Sequence, residues 1–286
     1  MTLGIIFALV AMLSWGFGDF FIQKGTRKIG DVETLAWIGI FGSIGLVPFI
    51  YNDLTLVLER SNFLILLSLG VVTFLVGIMN FEALRRGKLS VVEVLLELEL
   101  PITVILGIFF LREHLTLTQV LILCFIFVGI LMIALKPGQV RGRHFFEKGA
   151  VLALGAAIGY GLINFLTAVG AKEIAPLLTI WCTWVTFTVI CLGYLFAKGR
   201  IKSFAHQFSK YTTLIIAMGV IDTVAWIFFA LALENKELAV TIAITESYPA
   251  VSLFLGSVVN KEKIATIQFF GAFLTIVASI VMALLY

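Results

Sequence analysis

The sequence is short of charge. Only 13% of its 286 residues are charged, whereas 61% are hydrophobic, and an average soluble domain has about 25% charged residues. So few charges cannot cover a water-exposed surface, which excludes a soluble enzyme, a disordered chain and a small disulfide-stapled domain. Strands of outer-membrane barrels alternate in hydrophobicity, whereas the apolar runs here are continuous. The composition therefore indicates a helical protein with many membrane spans.

Other features that carry chemistry are also scarce. The net charge is only +3, which is too small to indicate a nucleic-acid partner. Cys124, Cys182 and Cys191 lie inside apolar runs, without the spacing of a metal or redox site. No nucleophile elbow or phosphate-binding loop occurs in the sequence. We therefore expect no catalytic residues, no metal, no cofactor and no direct use of ATP.

Ten apolar stretches are long enough, at about 20 residues each, to cross a bilayer as helices. These predicted spans are 3–22, 34–51, 63–82, 89–111, 116–135, 149–169, 175–197, 213–233, 238–259 and 264–285. The first lacks a basic n-region and a small-residue cleavage site, so we interpret it as a retained helix. The expected fold class is an all-α integral membrane protein with ten transmembrane helices. The longest connections are 136–148 and 198–212, and both are basic.

Lysine and arginine predict the orientation of these spans. Of the 20 basic residues, 16 lie in the loops after spans 1, 3, 5, 7 and 9. Basic loops are retained in the cytoplasm, so this side is predicted to be cytoplasmic. The expected location is the cytoplasmic membrane, with both termini outside.

The chain also resembles itself at an offset of 149 residues. Residues 83–113 align with 232–262, and this alignment pairs Glu97 with Glu246. The two glutamates thus occupy equivalent depths in spans 4 and 9.

Each half of the chain has five predicted spans, so an odd number separates the two copies. The second copy must then enter the bilayer upside down, and the loop charges switch sides as this requires. We predict two inverted five-helix repeats, at 1–136 and 146–286. Near their starts, Trp15 and Tyr160 are repeat partners. Inverted repeats are typical of secondary transporters, whose binding site lies near mid-membrane between the halves.

The ends of spans 4 and 9 carry a family resemblance. In each, a glycine precedes a glutamate by six positions. Together with Trp15-Gly16 and the ten spans, these motifs resemble the EamA-like branch of the drug/metabolite transporter superfamily. The resemblance covers essentially the whole chain and implies a ten-helix transporter. The segments concerned are Leu-Arg-Glu-His-Leu-Thr at 111–116 and Asn-Lys-Glu-Lys-Ile at 260–264.

Acidic residues within the spans are the leading site candidates, because a membrane-embedded carboxylate costs roughly 2.5–3.5 kcal/mol and marks function by default. Glu97 and Glu246 lie about 12 Å along their helices, towards the middle of a core about 30 Å thick. We expect both to line a central cavity, either changing protonation or pairing with a substrate ammonium group. The alternative is a neutral, hydrogen-bonded structural role.

Other acids are ranked by depth and direction. Glu93 shares a helix face with Glu97, and Asp222 is central in span 8, so both are substrate or coupling candidates. Glu99 is rotated about 200° from Glu97 in a continuous helix and is expected to point elsewhere. Asp19 is expected to be structural. Two further acids, Glu113 and Glu262, lie at helix ends, where capping or lid contacts are the favoured explanation.

Aromatic residues and prolines complete the predicted site. Trp15, Tyr160 and Trp226 lie inside spans, and Trp226 is the best individual candidate for substrate contact by cation–π or stacking, with packing as the alternative. Pro101 and Pro249 follow the paired glutamates and are predicted hinges. Pro249 lies 13 positions before Glu262, but Pro101 lies 12 before Glu113, a departure from the family pattern.

Basic residues are missing from the depths of the spans, which favours a neutral, zwitterionic or cationic substrate such as an amino-acid-like compound. The expected function is secondary active transport of small metabolites by alternating access, in the export direction, with protons as a candidate coupling ion. A multidrug or quaternary-amine proton antiporter is the alternative, ahead of a channel or a membrane-embedded enzyme. The expected partners are the substrate and the lipid bilayer. A monomer suffices for a complete site, and a dimer is compatible with it.

Overall fold

The computed structural model describes residues 2–86, 89–134, 148–259 and 264–286, without the side chains of 19, 20, 23, 81, 84–86, 89–91, 93, 256 and 259. In these ranges the chain forms twelve α-helices and a short 3₁₀ helix, Leu54–Leu58, and no strand. The helices are α1 (Leu3–Ile29), α2 (Asp31–Ile50), α3 (Arg60–Arg86), α4 (Leu89–Leu96), α5 (Glu99–Phe110), α6 (Leu117–Ala134), α7 (Lys148–Glu173), α8 (Pro176–Ala197), α9 (Ile201–Asn235), α10 (Leu238–Thr245), α11 (Tyr248–Val259) and α12 (Thr266–Leu285).

Eight helical stretches within the described ranges are long and apolar enough to cross a bilayer, and α1 adds a shorter apolar segment, Leu3–Gly18. The expected all-α membrane fold is therefore confirmed as a multi-pass helical protein. Predicted span 4 is divided between α4 and α5, and predicted span 9 between α10 and α11.

Two helices are interrupted at equivalent positions. α4 ends just before Glu97 and α10 just before Glu246, and each next helix begins two residues beyond that glutamate. Tight turns replace the α-helical bonding, with Leu98 N donating to Leu95 O at 3.3 Å and Ser247 N to Ile244 O at 3.2 Å. Each break places a glutamate at the end of an eight-residue helix.

The prolines follow these breaks. Pro101 is the third residue of α5 and Pro249 the second of α11. In the first turn of a helix the missing proline N–H leaves no intrahelical bond unmade, so proline is well tolerated there. Each proline therefore lies in the first turn of a new helix and does not kink a continuous one.

Glycines allow the closest helix crossings. A Cβ atom at Gly16 in α1 would lie 2.5 Å from Val251 Cβ in α11, and one at Gly161 in α7 would lie 2.6 Å from Ile102 Cγ2 in α5. Small residues let backbones approach closely, as in many membrane helix pairs. Around these crossings α1 packs on α9, α3 on α7, α2 on α8, and α6 on α12.

One predicted connection is wrong. The segment 198–212 was expected to be a loop, but α9 begins at Ile201 and departs from helical geometry only at Tyr211, with φ −128° and ψ 29°. Phe204 stacks on Trp37 with ring centroids 4.4 Å apart, and Phe208 lies 5.3 Å from the same ring. These phenylalanines are four residues apart and share a helix face, so packing stabilises a helix within a basic segment.

Candidate functional site

A cavity of about 390 Å³ lies between the two helix breaks. Six of the seven side chains predicted for substrate or coupling line it: Trp15, Glu97, Tyr160, Asp222, Trp226 and Glu246. The seventh, the side chain of Glu93, lies outside the described residues. The side chains described around this cavity include no lysine, arginine or histidine. The structure thus brings together residues that are more than 200 positions apart in the sequence.

The helix breaks carry two of the carboxylates to the cavity. Glu246 N donates to Ile242 O at 2.9 Å, so the backbone of this glutamate closes the last turn of α10. The residue is 9% exposed, and Asp222 from the long helix α9 is 8% exposed. These groups are largely shielded from water. Each therefore needs a partner or a bound cation when it is charged, or a proton that makes it neutral.

Glu99 also lines the cavity, contrary to the expectation that it points elsewhere. The expected 200° rotation from Glu97 holds only along a continuous helix, and the helix is broken between the two residues. Asn164 Nδ2 donates to Glu99 Oε1 at 2.7 Å and lies 3.3 Å from Thr103 Oγ1. The break therefore brings two acids, two residues apart, to one cavity.

A second amide extends this polar wall. Asn80 Nδ2 donates to the Tyr160 hydroxyl at 3.1 Å, and both residues line the cavity. Asn80 was not among the predicted site residues, and neither was Asn164. For Asn164 a signal was present, because the offset of 145 residues that pairs Trp15 with Tyr160 also pairs the acidic Asp19 with Asn164. Asn80 has no comparable sequence signal.

Aromatic rings form another part of the cavity lining. Trp15 lies 5.1 Å from Trp226 and 6.3 Å from Tyr248, measured between ring centroids. Trp226 in turn lies 5.8 Å from Trp184 in an edge-to-face arrangement. All four rings line the cavity. Sequence reasoning missed Tyr248 and Trp184, although the repeat offset that pairs the glutamates also pairs Tyr248 with Glu99.

Outside the cavity lining, a contact at the start of α10 joins the two halves of the chain. The carboxylate of Glu113 accepts hydrogen bonds from the first two backbone N–H groups of α10, those of Leu238 and Ala239. Lys172 Nζ lies 3.5 Å from the same carboxylate. The capping role expected for Glu113 is therefore present, and it bonds a helix of the opposite half. Its counterpart, Glu262, lies outside the described residues.

The spacing from Gly107 to Glu113 has a physical reason. A Cβ atom at Gly107 would lie 2.8 Å from Glu113 Oε2. Backbone N–H groups of both Leu111 and Glu113 donate to Gly107 O, which folds the chain back over the end of α5. The glycine thus leaves room for the carboxylate that caps α10.

Comparison with protein families decides the identity of the chain. The EamA-like transporter family matches residues 2–135 and again residues 147–284. The chain belongs to the EamA-like transporter family. Proteins of this family are transporters, which agrees with the expectation that the chain is not an enzyme.

Two individual similarities add to the family match. An uncharacterized protein of Methanocaldococcus jannaschii, MJ1333.1, is 27% identical over 137 residues, which cover 48% of this chain and 99% of that protein. A solved crystal structure with 12% sequence identity superposes with a TM-score of 0.72 and covers 99% of this chain and 98% of its own. That likeness shows the fold alone.

Proposed function

We propose that this EamA-like protein is a secondary active transporter that moves small neutral, zwitterionic or cationic metabolites by alternating access. The observation that carries the proposal is the cavity between the two helix breaks, lined by four carboxylates and by no described basic side chain. Bound anions such as phosphorylated sugars would meet only like charge there. Amino-acid-like compounds and amphipathic amines match this lining.

The architecture we propose is ten transmembrane helices in two inverted five-helix repeats, 1–136 and 146–286. The equivalent helix breaks support this. The two glycine crossings also support it, because α11 of the second half packs on α1 at Gly16, and α5 of the first half packs on α7 at Gly161. The half-length archaeal relative is also consistent with a unit of this size. In the proposed topology both termini lie outside the cytoplasmic membrane.

An imbalance between the two ends of the molecule supports alternating access. At the end that we propose to be external, α10 packs on α5 and is capped by Glu113. At the other end, the described residues of the equivalent segments α4 and α11 do not pack closely on each other. Cavity-lining residues such as Thr34 and Asn80 lie towards this second end. We therefore interpret the structure as open to the cytoplasm. Packing of α4 on α11, together with separation of α10 from α5, would open it outward.

Substrate recognition would use both walls of the cavity. A substrate ammonium group pairs with the carboxylates beside Asn164, while an apolar or cationic portion stacks on Trp15 and Trp226. Protonation of Glu97 or Glu246 would release such a cation, which makes protons the proposed coupling ion and export the proposed direction.

The aromatic wall also favours a second candidate. Quaternary ammonium groups are recognised by cages of aromatic rings, and Trp15, Trp184, Trp226 and Tyr248 form such a cluster beside carboxylates. The alternative function is therefore a multidrug or quaternary-amine proton antiporter.

Counterflow in proteoliposomes tests both candidates. Purified full-length protein is screened by thermal shift against amino acids, primary amines, quaternary amines and phosphorylated sugars, and stabilising compounds are then used as labelled substrates at two pH values. A carrier gives saturable counterflow that changes with pH. Flux that does not saturate would instead indicate a channel, and strong counterflow of a phosphorylated sugar would contradict the proposed substrate class.

A further inference from the structure

A basic surface lies away from the cavity, where the C-terminal end of α1 meets the departure from helical geometry in α9. The ammonium nitrogen of Lys28 lies 6.0 Å from the ring centroid of Tyr211, and that of Lys210 lies 5.3 Å from the same centroid. Two lysines from segments far apart in sequence therefore converge on one ring. Neither takes part in the transport site.

The two lysines carry their charge at the protein surface. Lys28 and Lys210 are exposed, and the described part of the chain offers neither of them a carboxylate ion pair. Nearby Arg200 differs, because it pairs with the buried carboxylate of Glu33. Each ammonium group lies within 6.0 Å of the same ring centroid, so both positive charges attract an anion that binds beside this ring.

The surface also lies at a suitable depth. Tyr211 separates the polar start of α9, where Lys202 and His206 are exposed, from its apolar continuation. Tyrosine and lysine both favour the headgroup level of a membrane, with apolar stems towards the core. Phe204 and Phe208 pack on Trp37 and hold this segment in place. Lys210 thus lies where the polar start of α9 meets its apolar continuation, and Lys28 lies beside the same tyrosine ring.

We propose that Lys28, Lys210 and Tyr211 form a binding site for the headgroup of an acidic phospholipid such as phosphatidylglycerol. The two ammonium groups would contact the non-bridging phosphate oxygens beside the ring of Tyr211. Clusters of basic residues beside a membrane helix attract anionic lipids of the cytoplasmic leaflet. The site does not depend on the proposed transport activity, and only its assignment to the inner leaflet rests on the proposed topology.

Lipid titration of the delipidated, full-length protein tests the proposal. Native mass spectrometry measures binding of phosphatidylglycerol and of phosphatidylcholine to the wild type and to the double variant Lys28→Gln/Lys210→Gln. At about 1 kcal/mol for each lysine near a membrane surface, phosphatidylglycerol should bind the double variant roughly 10- to 30-fold more weakly. Binding of phosphatidylcholine should be equal in both proteins.

A matched control carries the same change in charge at two other exposed lysines on the predicted cytoplasmic side, Lys148→Gln/Lys202→Gln. This variant should bind phosphatidylglycerol like the wild type. Equal weakening in both double variants would show a general charge effect and overturn the proposed site. Thermal unfolding in phosphatidylcholine vesicles checks that the double variant is folded. If it is destabilised, the single variants are measured instead, and each should lower the logarithm of the phosphatidylglycerol affinity by about half as much as expected for the double variant.

Inorganic phosphate distinguishes a lipid site from a site for a soluble anion. The proposal predicts that inorganic phosphate neither displaces phosphatidylglycerol nor raises the unfolding temperature of the wild type. Stabilisation by phosphate alone that disappears in Lys28→Gln/Lys210→Gln would assign the residues to a soluble anion and overturn the lipid proposal.

Discussion

The two interrupted helices share one backbone plan and differ in the chemistry around it. In both, an eight-residue helix ends just before a glutamate, and a proline lies in the first turn of the next helix. Beside the first break stands Glu99, hydrogen-bonded to Asn164, whereas the equivalent position beside the second break is Tyr248, packed near Trp15. Equivalent backbones can therefore present a polar wall and an aromatic wall to one cavity. Such a cavity suits a substrate with two unlike ends.

The largest effect on transport is expected at the two glutamates, because each helix break carries one at the equivalent position. Glu97→Gln and Glu246→Gln each remove a carboxylate charge from the cavity while preserving side-chain size. If these carboxylates pair with a substrate cation, each change should lower counterflow by about 100-fold or more, because breaking a buried ion pair costs about 3–5 kcal/mol. Acidification should also weaken wild-type binding of a cation, since a protonated carboxyl carries no charge, and this pH dependence should flatten in the variants.

The exposed Glu59 provides the control, and Glu59→Gln should leave counterflow and its pH profile unchanged. Wild-type transport by both cavity variants would refute the coupling role. A large effect from only one glutamate would show that the breaks are equivalent in backbone but unequal in function.

The glycine crossings test the shared backbone plan. Gly16→Ala and Gly161→Ala each place a methyl group at 2.5–2.6 Å from a side chain of the opposite half, and overpacking of this kind costs about 1–3 kcal/mol. Both variants should unfold a few degrees below the wild type in a thermal assay. Unequal losses would mean that the two crossings are not structurally equivalent.

Gly45 and Gly193 serve as controls for these variants, because a Cβ atom at either position meets nothing within 4 Å. Alanine at these helical sites should be neutral or slightly stabilising, since it has the higher helix propensity. A comparable loss of stability in the controls would remove the crossing explanation.

The cap on α10 is expected to have a smaller effect. Glu113→Ala leaves the N–H groups of Leu238 and Ala239 without their carboxylate, and loss of a helix cap typically costs about 0.5–2 kcal/mol. Lys172→Met removes only a partly exposed ion pair, whose usual contribution is about 0–1 kcal/mol. The unfolding temperature should therefore fall more for Glu113→Ala. Because Glu113→Ala removes the cap as well as the ion pair, an equal fall in both variants would show that the cap contributes nothing beyond the charge pair.

The multi-pass helical fold was predictable because membrane helices are encoded by long apolar runs. The equivalent glutamates could be found from the repeat alone. Glu99 was misjudged because a continuous-helix rotation was applied across a break that only the turn at Glu97 reveals. The helix at the start of α9 was missed because its two phenylalanines stand among lysines, and only the partner ring of Trp37 explains their burial.

The smallest expected effect separates the aromatic wall from the polar one. Trp226→Phe keeps an aromatic ring beside Trp15 and Trp184 but weakens cation–π attraction, which is strongest for tryptophan. At about 0.5–1 kcal/mol, a cationic substrate should bind about two- to fivefold more weakly, while a neutral analogue of the same shape should be unaffected. Asn164→Ala should instead weaken any substrate that depends on Glu99, because that carboxylate loses its 2.7 Å hydrogen bond. Competition counterflow with a matched amine and neutral analogue measures both variants. Equal weakening of both compounds by Trp226→Phe would mean that this ring only packs, and that the two walls do not divide recognition between them.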